Sequence, residues 1–410
     1  MAASRPPSAR GVMLRWTATL VALLLPVVAA HAQRGGAAAT DIWTDRDTII
    51  GSGGPTGAVR IAIWDSGVDT TLFASRLARD ARGRILVRGY DAHKRRQDTP
   101  MALLPPAVLA RADELNRVIL AYDDLESGLT SEHVSWLEER RRALTPGEER
   151  EFDDAIDRWS GYSHGTGVAD IALAGLARAE IVIARMEWWA GSPPVPCWTR
   201  ELAVREAESI RDLLAYLVES GARVVNMSWG RAERGYLRNM EECAPGMPLD
   251  ERQSLARFTV DTIRAVLQAG MRAAPRVLFV GAAGNAGTSV ETANPATRFE
   301  APNFLLVGAV DRAGARAPYT NVGPEVSLYA NGERVPARLP GGMPSFPTGT
   351  SMATPNVSNA AAKMLAVNPA LTGAELRALL LGTSDRNATG DRLIHTRRAV
   401  AAARAAMGVR

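Results

Sequence analysis

The chain has 410 residues, 46% hydrophobic and 22% charged, so it is neither disordered nor collagen-like and can form one large domain or two smaller ones. Its net charge of +4 comes with only two lysines, Lys94 and Lys363, among 48 basic residues, and the arginines are interspersed with acidic residues. Because no long basic run occurs and aromatic residues make up only 6%, these features do not predict nucleic acid as a partner.

The N-terminus has the pattern of a cleaved signal peptide over residues 1–32. Three arginines precede an apolar run over residues 20–28, and the small-residue sequence Ala-His-Ala follows it. Because the run is shorter than the ~20 residues of a membrane span, we predict cleavage, no stable membrane anchor and a secreted or periplasmic location. An oxidising compartment lets Cys197 and Cys243 pair, and we predict a disulfide, with two unpaired thiols as the alternative.

Residues 33–58 are rich in Gly, Ala and Thr and are predicted to form a flexible linker. From residue 59 onward, apolar runs of strand length alternate with helical patterns such as Arg200–Glu219 and Leu255–Gln268. Strands this apolar are typical of parallel sheets buried on both faces. We therefore predict an α/β fold over residues 59–405, a doubly wound, mostly parallel sheet flanked by helices in three layers. The predicted strands are Val59–Trp64, Ala179–Arg185, Val224–Met227, Val277–Val280 and Phe304–Val310.

Residues 94–158 are highly charged and helical in pattern, and Thr145, Pro146 and Glu148 predict a helix N-terminus there. We interpret the segment as an insertion, a solvated helical pair that decorates the domain, with a lid or partner surface as the alternative. Its His and acidic residues have no recognisable metal-ligand spacing. We therefore assign neither a metal nor a cofactor.

Three segments combine glycines with groups that carry chemistry. Asp65 follows the first strand and precedes Gly67, which permits a sharp turn at the carboxyl end of the strand. His164 lies among glycines, and we expect it near the N-terminus of a helix over residues 168–175. Ser351 stands at the start of another helix, where free N–H groups stabilise an oxyanion. Each residue alone is common as a turn, cap or structural residue, but together they form the set that activates a serine nucleophile.

In their order along the chain, these residues resemble the motifs of the subtilisin-like serine peptidases. The segment Gly349-Thr-Ser-Met-Ala-Thr-Pro355 matches the serine motif throughout, and Asp65-Ser-Gly-Val and His164-Gly-Thr are similar to the other two motifs. The resemblance implies that Ser351 is the nucleophile, that His164 is the general base, and that Asp65 orients His164.

The resemblance also implies an oxyanion hole and a peptide-binding cleft. Asn285, in the sequence Ala-Ala-Gly-Asn-Ala-Gly, is expected to donate its side-chain amide together with the Ser351 backbone N–H, with a simple turn as the alternative. The segment after Val225 resembles the strand whose edge pairs with an extended peptide, although Trp229 fits a core position equally well. The residues that the resemblance assigns to substrate binding are Ser228, Trp229, Gly230, Ala283 and Gly284.

The function implied by the resemblance is that of an exported, monomeric serine endopeptidase acting on extended polypeptides. The histidine motif departs from the family pattern at Gly167 and Asp170, which keeps a catalytically impaired peptide-binding protein of the same fold as the alternative. Arg231 also stands where the family usually has glycine. An esterase or lipase is disfavoured, because Ser351 is not in a Gly-x-Ser-x-Gly sequence and Asp65 precedes it.

Overall fold

The predicted signal peptide, residues 1–32, and residues 33–40 of the predicted linker lie outside the part of the chain that the structure describes. Among the helices of the described residues, none combines the length and the hydrophobicity of a transmembrane span. The computed structural model describes residues 41–53, 57–187, 196–293, 295–298 and 301–407.

The strands of the described residues are β1 (Val59–Asp65), β2 (Val87–Tyr90), β3 (Ala179–Met186), β4 (Val224–Met227), β5 (Leu278–Ala282), β6 (Phe304–Val310), β7 (Val326–Asn331), β8 (Ala337–Leu339), β9 (Met343–Ser345), β10 (Asp385–Arg386) and β11 (Arg392–Leu393). One sheet has the order β10-β11-β7-β6-β5-β4-β1-β3-β2, in which only the β10–β11 pair is antiparallel. The hairpin β8–β9 stands apart. The predicted strands are all present within two residues of their expected bounds, and the predicted fold class is confirmed.

The helices of the described residues are α1 (Trp43–Arg46), α2 (Pro106–Leu109), α3 (Ala112–Glu126), α4 (Glu132–Arg142), α5 (Pro146–Leu173), α6 (Arg200–Glu219), α7 (Glu233–Cys243), α8 (Leu249–Ala273), α9 (Val290–Ala293), α10 (Thr350–Val367), α11 (Gly373–Gly382) and α12 (Thr396–Ala405). The predicted crossover helix Arg200–Glu219 matches α6. The second predicted crossover, Leu255–Gln268, lies inside the longer α8.

The sheet is the middle of three layers because alternate residues of its strands face opposite sides. Ile61 and Ile63 of β1 belong to one core, together with side chains of α5 and α10. Ala62 and Trp64, between and beside them, belong to a second core with side chains of α6 and α8. All four are 0–1% exposed, so both faces of β1 are buried at these positions.

The structure corrects the expected position of His164, which does not lie near a helix N-terminus. The capping box predicted at Thr145 and Glu148 is present, but the helix that begins there, α5, continues past the predicted end of the insertion and contains His164. Two features keep the helix unbroken. Trp159 continues its buried apolar face, and Gly165 allows close packing, since a Cβ there would lie 2.2 Å from the carbonyl oxygen of Gly67.

The segment 41–50, which belongs to the predicted flexible linker, makes specific contacts with the domain. Asp47 forms an ion pair of 2.8 Å with Lys363, a fully buried residue of α10. Trp43 Nε1 donates to the carbonyl oxygen of Asp311 at 3.1 Å, and Ile50 N donates to that of Gly175 at 2.8 Å. A buried lysine needs a counter-charge, and this segment supplies it.

Cys197 and Cys243 form a disulfide, so the predicted pairing is confirmed over the alternative of two thiols. The bond joins the residues just before α6 to the last residue of α7. It thereby holds the chain at residue 197 against that helix.

Candidate active site

The structure brings Asp65 and His164 into direct contact. Asp65, the last residue of β1, is fully buried, and its Oδ1 lies 2.8 Å from Nδ1 of His164. The same oxygen accepts from the backbone N–H of Ser66 at 2.7 Å and from its hydroxyl at 3.2 Å. The carboxylate therefore has one fixed orientation toward the imidazole.

A close crossing of two chain segments brings these side chains together. Gly67 has φ +132°, and a Cβ there would lie 2.6 Å from the carbonyl oxygen of Pro100. Gly165, next to His164, packs against this same turn. Neither Gly67 nor Gly165 has space for a Cβ, and Gly67 also has a positive φ that favours glycine. The glycines that lie near Asp65 and His164 in the sequence are thus needed for this close crossing.

Ser351 is the second residue of α10 and faces the turn after β4. Gly349 before it has φ +150° and begins the turn into the helix. The Ser351 hydroxyl donates to the carbonyl oxygen of Ser228 at 3.3 Å. Helix α10 packs against α5, and Asn359 Nδ2 donates to the carbonyl oxygen of Ala172 at 2.9 Å. The helices that carry Ser351 and His164 are therefore direct neighbours.

Asn285 lies beside this helix start. Its Oδ1 accepts from the backbone N–H of Thr350 at 2.9 Å and from the Thr350 hydroxyl at 2.7 Å. These bonds orient the amide, and its Nδ2 donates no hydrogen bond to any residue that the structure describes. Asn285 is an exposed residue.

Ala283 and Gly284 precede Asn285, and a buried residue that the sequence analysis missed holds them. Asn321, 1% exposed, donates from Nδ2 to the Ala283 carbonyl oxygen at 2.8 Å and accepts from the Ala286 backbone N–H at 2.9 Å. Gly284, at φ +97°, donates to the Thr350 hydroxyl at 3.0 Å. In the sequence, Asn321 lies in a short polar run before β7. That position does not indicate which residues it contacts.

A second buried network lies beneath Ser351. The Ser228 hydroxyl donates to the Ser351 carbonyl oxygen at 2.8 Å and accepts from Asn226 Nδ2 at 2.9 Å. Asn226 in turn accepts from the Ser358 hydroxyl at 2.9 Å. Strand β4 and helix α10 are thus joined by a continuous chain of hydrogen bonds. The sequence analysis missed Asn226 and Ser358, because a lone polar residue in an apolar strand or helix does not indicate its partner.

Trp229 and Gly230 differ in environment. Trp229 is 4% exposed and packs edge-on against Trp64, with ring centroids 5.1 Å apart, so its side chain belongs to the core. The sequence analysis had left this alternative open. Gly230 is exposed, and the strand pairing of β4 ends at Met227. The backbone after Ser228 therefore runs beyond the paired part of the sheet.

A buried charge cluster lies against Trp229. Glu206 accepts from Arg231 and from Tyr236, both at 2.9 Å, and pairs with Lys94 at 3.5 Å. Burial by itself raises the pKa of Glu206, but Lys94 and Arg231 outweigh it and hold that pKa at about 2. The Arg231 guanidinium also lies 5.3 Å from the Trp229 ring centroid. Arg231, which departs from the family pattern, is therefore held by its contacts with Glu206 and Trp229.

The described residues contain no cluster of three or more His, Cys, Asp or Glu side chains arranged to hold a metal ion. His133 and the acidic residues near it, which the sequence analysis had considered, lie in the insertion and form no such cluster.

Comparison with known proteins identifies the family. The sequence profile of the Subtilase family matches residues 56–402, so the chain belongs to the subtilases. It is 38% identical over 108 residues to Subtilisin NAT of Bacillus subtilis subsp. natto, which covers 26% of this chain and 28% of that protein. It is 30% identical over 242 residues to the Thermophilic serine proteinase of Bacillus sp. (strain AK1), covering 57% and 50%. The chain thus spans half or less of the length of these curated relatives.

Among solved structures, the A-subunit of the AB5 toxin from E. coli has a TM-score of 0.50 and 15% identity to this chain. The match covers 84% of this chain and 92% of that subunit. At this identity the similarity is one of fold, and it agrees with the three-layer architecture described above.

Proposed function

We propose that this chain is an exported serine endopeptidase, with a peptidase domain over residues 59–405 behind a signal peptide over residues 1–32. The observation that carries the proposal is the 2.8 Å contact between Nδ1 of His164 and the buried carboxylate of Asp65. The helix that contains His164 packs against the helix that contains Ser351. A carboxylate on Nδ1 keeps Nε2 as the basic nitrogen of the imidazole. The names of the relatives, which describe subtilisins and serine proteinases, support the same activity.

In the proposed reaction, the Ser351 hydroxyl attacks the carbonyl carbon of a peptide bond while its proton passes to Nε2 of His164. Asp65 stabilises the imidazolium, and the Asn285 amide and the Ser351 backbone N–H donate to the oxyanion of the tetrahedral intermediate. His164 then gives its proton to the leaving amine. Water hydrolyses the acyl-enzyme in the same way, with His164 as its base, and restores the Ser351 hydroxyl.

The proposed substrate is a polypeptide in extended form, bound by a monomer without a cofactor. The backbone of Ser228–Gly230 is proposed to pair with it, since strand pairing ends at Met227 and Gly230 is exposed. Ala283–Gly284 is proposed to form the opposite wall of the pocket. Trp229 contributes through its backbone, because its side chain is buried.

The alternative, a peptide-binding protein without activity, rests on the changed histidine motif. Both changed positions have local contacts of their own. Asp170 forms an ion pair with Arg338, and Gly167 faces Leu339, to which a Cβ would come within 3.2 Å. Neither change breaks the contact between Asp65 and His164, which favours the active enzyme.

A fluorophosphonate probe tests the proposal, because it reacts only with an activated serine. We expect the exported protein to be labelled at Ser351 and to cleave casein, and Ser351→Ala to do neither. A matched control is Ser135→Ala, at an exposed serine of helix α4 that is not the proposed nucleophile, and this variant should keep both labelling at Ser351 and casein cleavage. Labelling without peptide cleavage would contradict the peptidase, and no labelling would favour the peptide-binding protein.

A further inference from the structure

The helical insertion contacts the two sides of the candidate site. Its core contains Leu115 and Val118 of α3 packed against Phe152 and Trp159 of α5. Trp159 also donates from Nε1 to Asn116 of α3 at 2.9 Å. Because α5 continues without a break to His164, α3 is firmly attached to the helix that carries the proposed base.

The other end of α3 contacts the segment that leads into Ser351. Asp123, 7% exposed, accepts from the Ser345 hydroxyl and, at 3.0 Å, from the backbone N–H of Phe346. Both donors lie within six residues of Ser351. Burial raises the pKa of Asp123, and the bonds from Ser345 and Phe346 oppose that rise. A buried carboxylate is costly unless it is hydrogen-bonded, so this contact depends on both partners staying in place.

The next residue of α3, Asp124, also contacts the region that leads into Ser351, through Arg334. Asp124 pairs with Arg334 at 3.1 Å, and the Arg334 backbone N–H donates to the Thr348 hydroxyl at 3.1 Å. The Arg334 guanidinium also lies 5.3 Å from the ring centroid of Phe346. Two adjacent carboxylates of the insertion thus hold residues 345–348 from two directions.

We propose that α3 braces the active site, and that Asp123 is a positioning residue that holds residues 345–348, and through them Ser351, in place relative to His164. The inference rests on the proposed peptidase function for its catalytic consequence. A decorative helical pair, the interpretation favoured by the sequence, has no reason to bury a carboxylate against the segment before the nucleophile. Since a displacement of about 1 Å between reacting groups costs on the order of 100-fold in rate, small movements of this segment matter.

The test compares Asp123→Ala and Asp123→Asn with Glu114→Gln, a control on the same helix whose partners, Arg111 and Arg140, lie inside the insertion. We expect Asp123→Ala to lower kcat and the rate of fluorophosphonate labelling at least 10-fold, with KM for a short peptide changed less than 2-fold. Asp123→Asn, whose amide oxygen still accepts from Phe346, should lose less. Glu114→Gln should keep the wild-type kcat.

A second measurement does not depend on activity. Hydrogen exchange of residues 345–351 should become faster in Asp123→Ala and stay unchanged in Glu114→Gln. If Asp123→Ala fails to fold, Ser345→Ala removes one donor from the other side and should show a smaller change in the same direction. Unchanged exchange at residues 345–351, or a wild-type kcat in the folded Asp123 variants, would overturn the brace. A wild-type protein that is not labelled at all would overturn the proposed function, while the exchange data would still decide the brace.

Discussion

At the scale of single residues, the orientation of Asn285 determines what it contributes. Its oxygen accepts from Thr350, and the proposed function assigns its nitrogen to the oxyanion. A donor that acts only on the tetrahedral intermediate affects kcat and not substrate binding.

We therefore expect Asn285→Ala to lower kcat on the order of 100 to 1,000-fold with little change in KM, the loss that removal of one such donor causes in a related subtilisin. Steady-state kinetics with a chromogenic peptide measure both constants. Thr288→Ala, an exposed position in the same loop, is the control and should behave as the wild type. If KM rises on the order of 100 to 1,000-fold while kcat stays constant, Asn285 contributes to substrate binding instead.

Glu126 of α3 makes stability depend on pH. Burial, and to a smaller extent the charge of Asp123, raises the pKa of Glu126 from 4.5 to about 8. Because the folded state holds this proton more tightly than the unfolded state, the resulting stabilisation is complete below about pH 4.5 and is lost as the pH rises to about 8.

Glu126→Gln removes this titration. We expect the free energy of unfolding of the variant, relative to the wild type, to rise between pH 5 and pH 8 and then level off. Denaturant unfolding at several pH values measures it. Glu138→Gln, at an exposed position on α4, serves as the control, and parallel stability curves for Glu126→Gln and the wild type would contradict the prediction.

At the scale of elements, the disulfide between Cys197 and Cys243 closes a loop with a sequence separation of 46 that contains α6, β4 and most of α7. Such a cross-link stabilises mainly by restricting the unfolded chain.

We expect the Cys197→Ser, Cys243→Ser double variant to lose about 2–5 kcal/mol of unfolding free energy. Urea unfolding of the variant against the oxidised wild type measures the loss. As the control, the oxidised wild type is treated with an alkylating agent. Its unfolding midpoint should stay the same, since both cysteines are bonded. The prediction is wrong if the midpoints of unfolding agree.

Helix α5 shows how far element boundaries can be predicted. Its N-terminal cap at Thr145 was predicted, because the capping residues are adjacent in the sequence. Its continuation through His164 was not, because Gly161, Gly165 and Gly167 suggest a break. Packing against Gly67 reverses that local preference, and such a contact between distant segments has no local sequence signal.

At the scale of the whole molecule, the N-terminal segment and helix α10 are joined by the pair Asp47–Lys363. Lys363 is fully buried, whereas the Asp47 side chain is 49% exposed. Burial lowers the pKa of Lys363, and Asp47 opposes that effect. The segment before the first strand thus contributes to the stability of the helix that begins next to Ser351.

We expect Asp47→Asn to lower the unfolding free energy by about 1–3 kcal/mol, less than the loss for a fully buried pair because Asp47 is half exposed. Thermal and urea unfolding measure the loss. Adding Lys363→Met to that variant removes the unpaired charge and should recover stability. A double variant no more stable than Asp47→Asn would show that the charge is not the cause.

The sequence by itself predicted the α/β fold class, five strands of the sheet and the candidate residues Asp65, His164, Asn285 and Ser351, because apolar runs and glycine-flanked polar motifs are local patterns. Only the tertiary structure decided that Trp229 is buried, that Asn226 and Asn321 support the site, and that Asp123 reaches the segment before Ser351. These are contacts between residues 35 or more positions apart, or burial that depends on them. Such contacts follow from how helices and strands pack, and no single segment of the chain contains both partners.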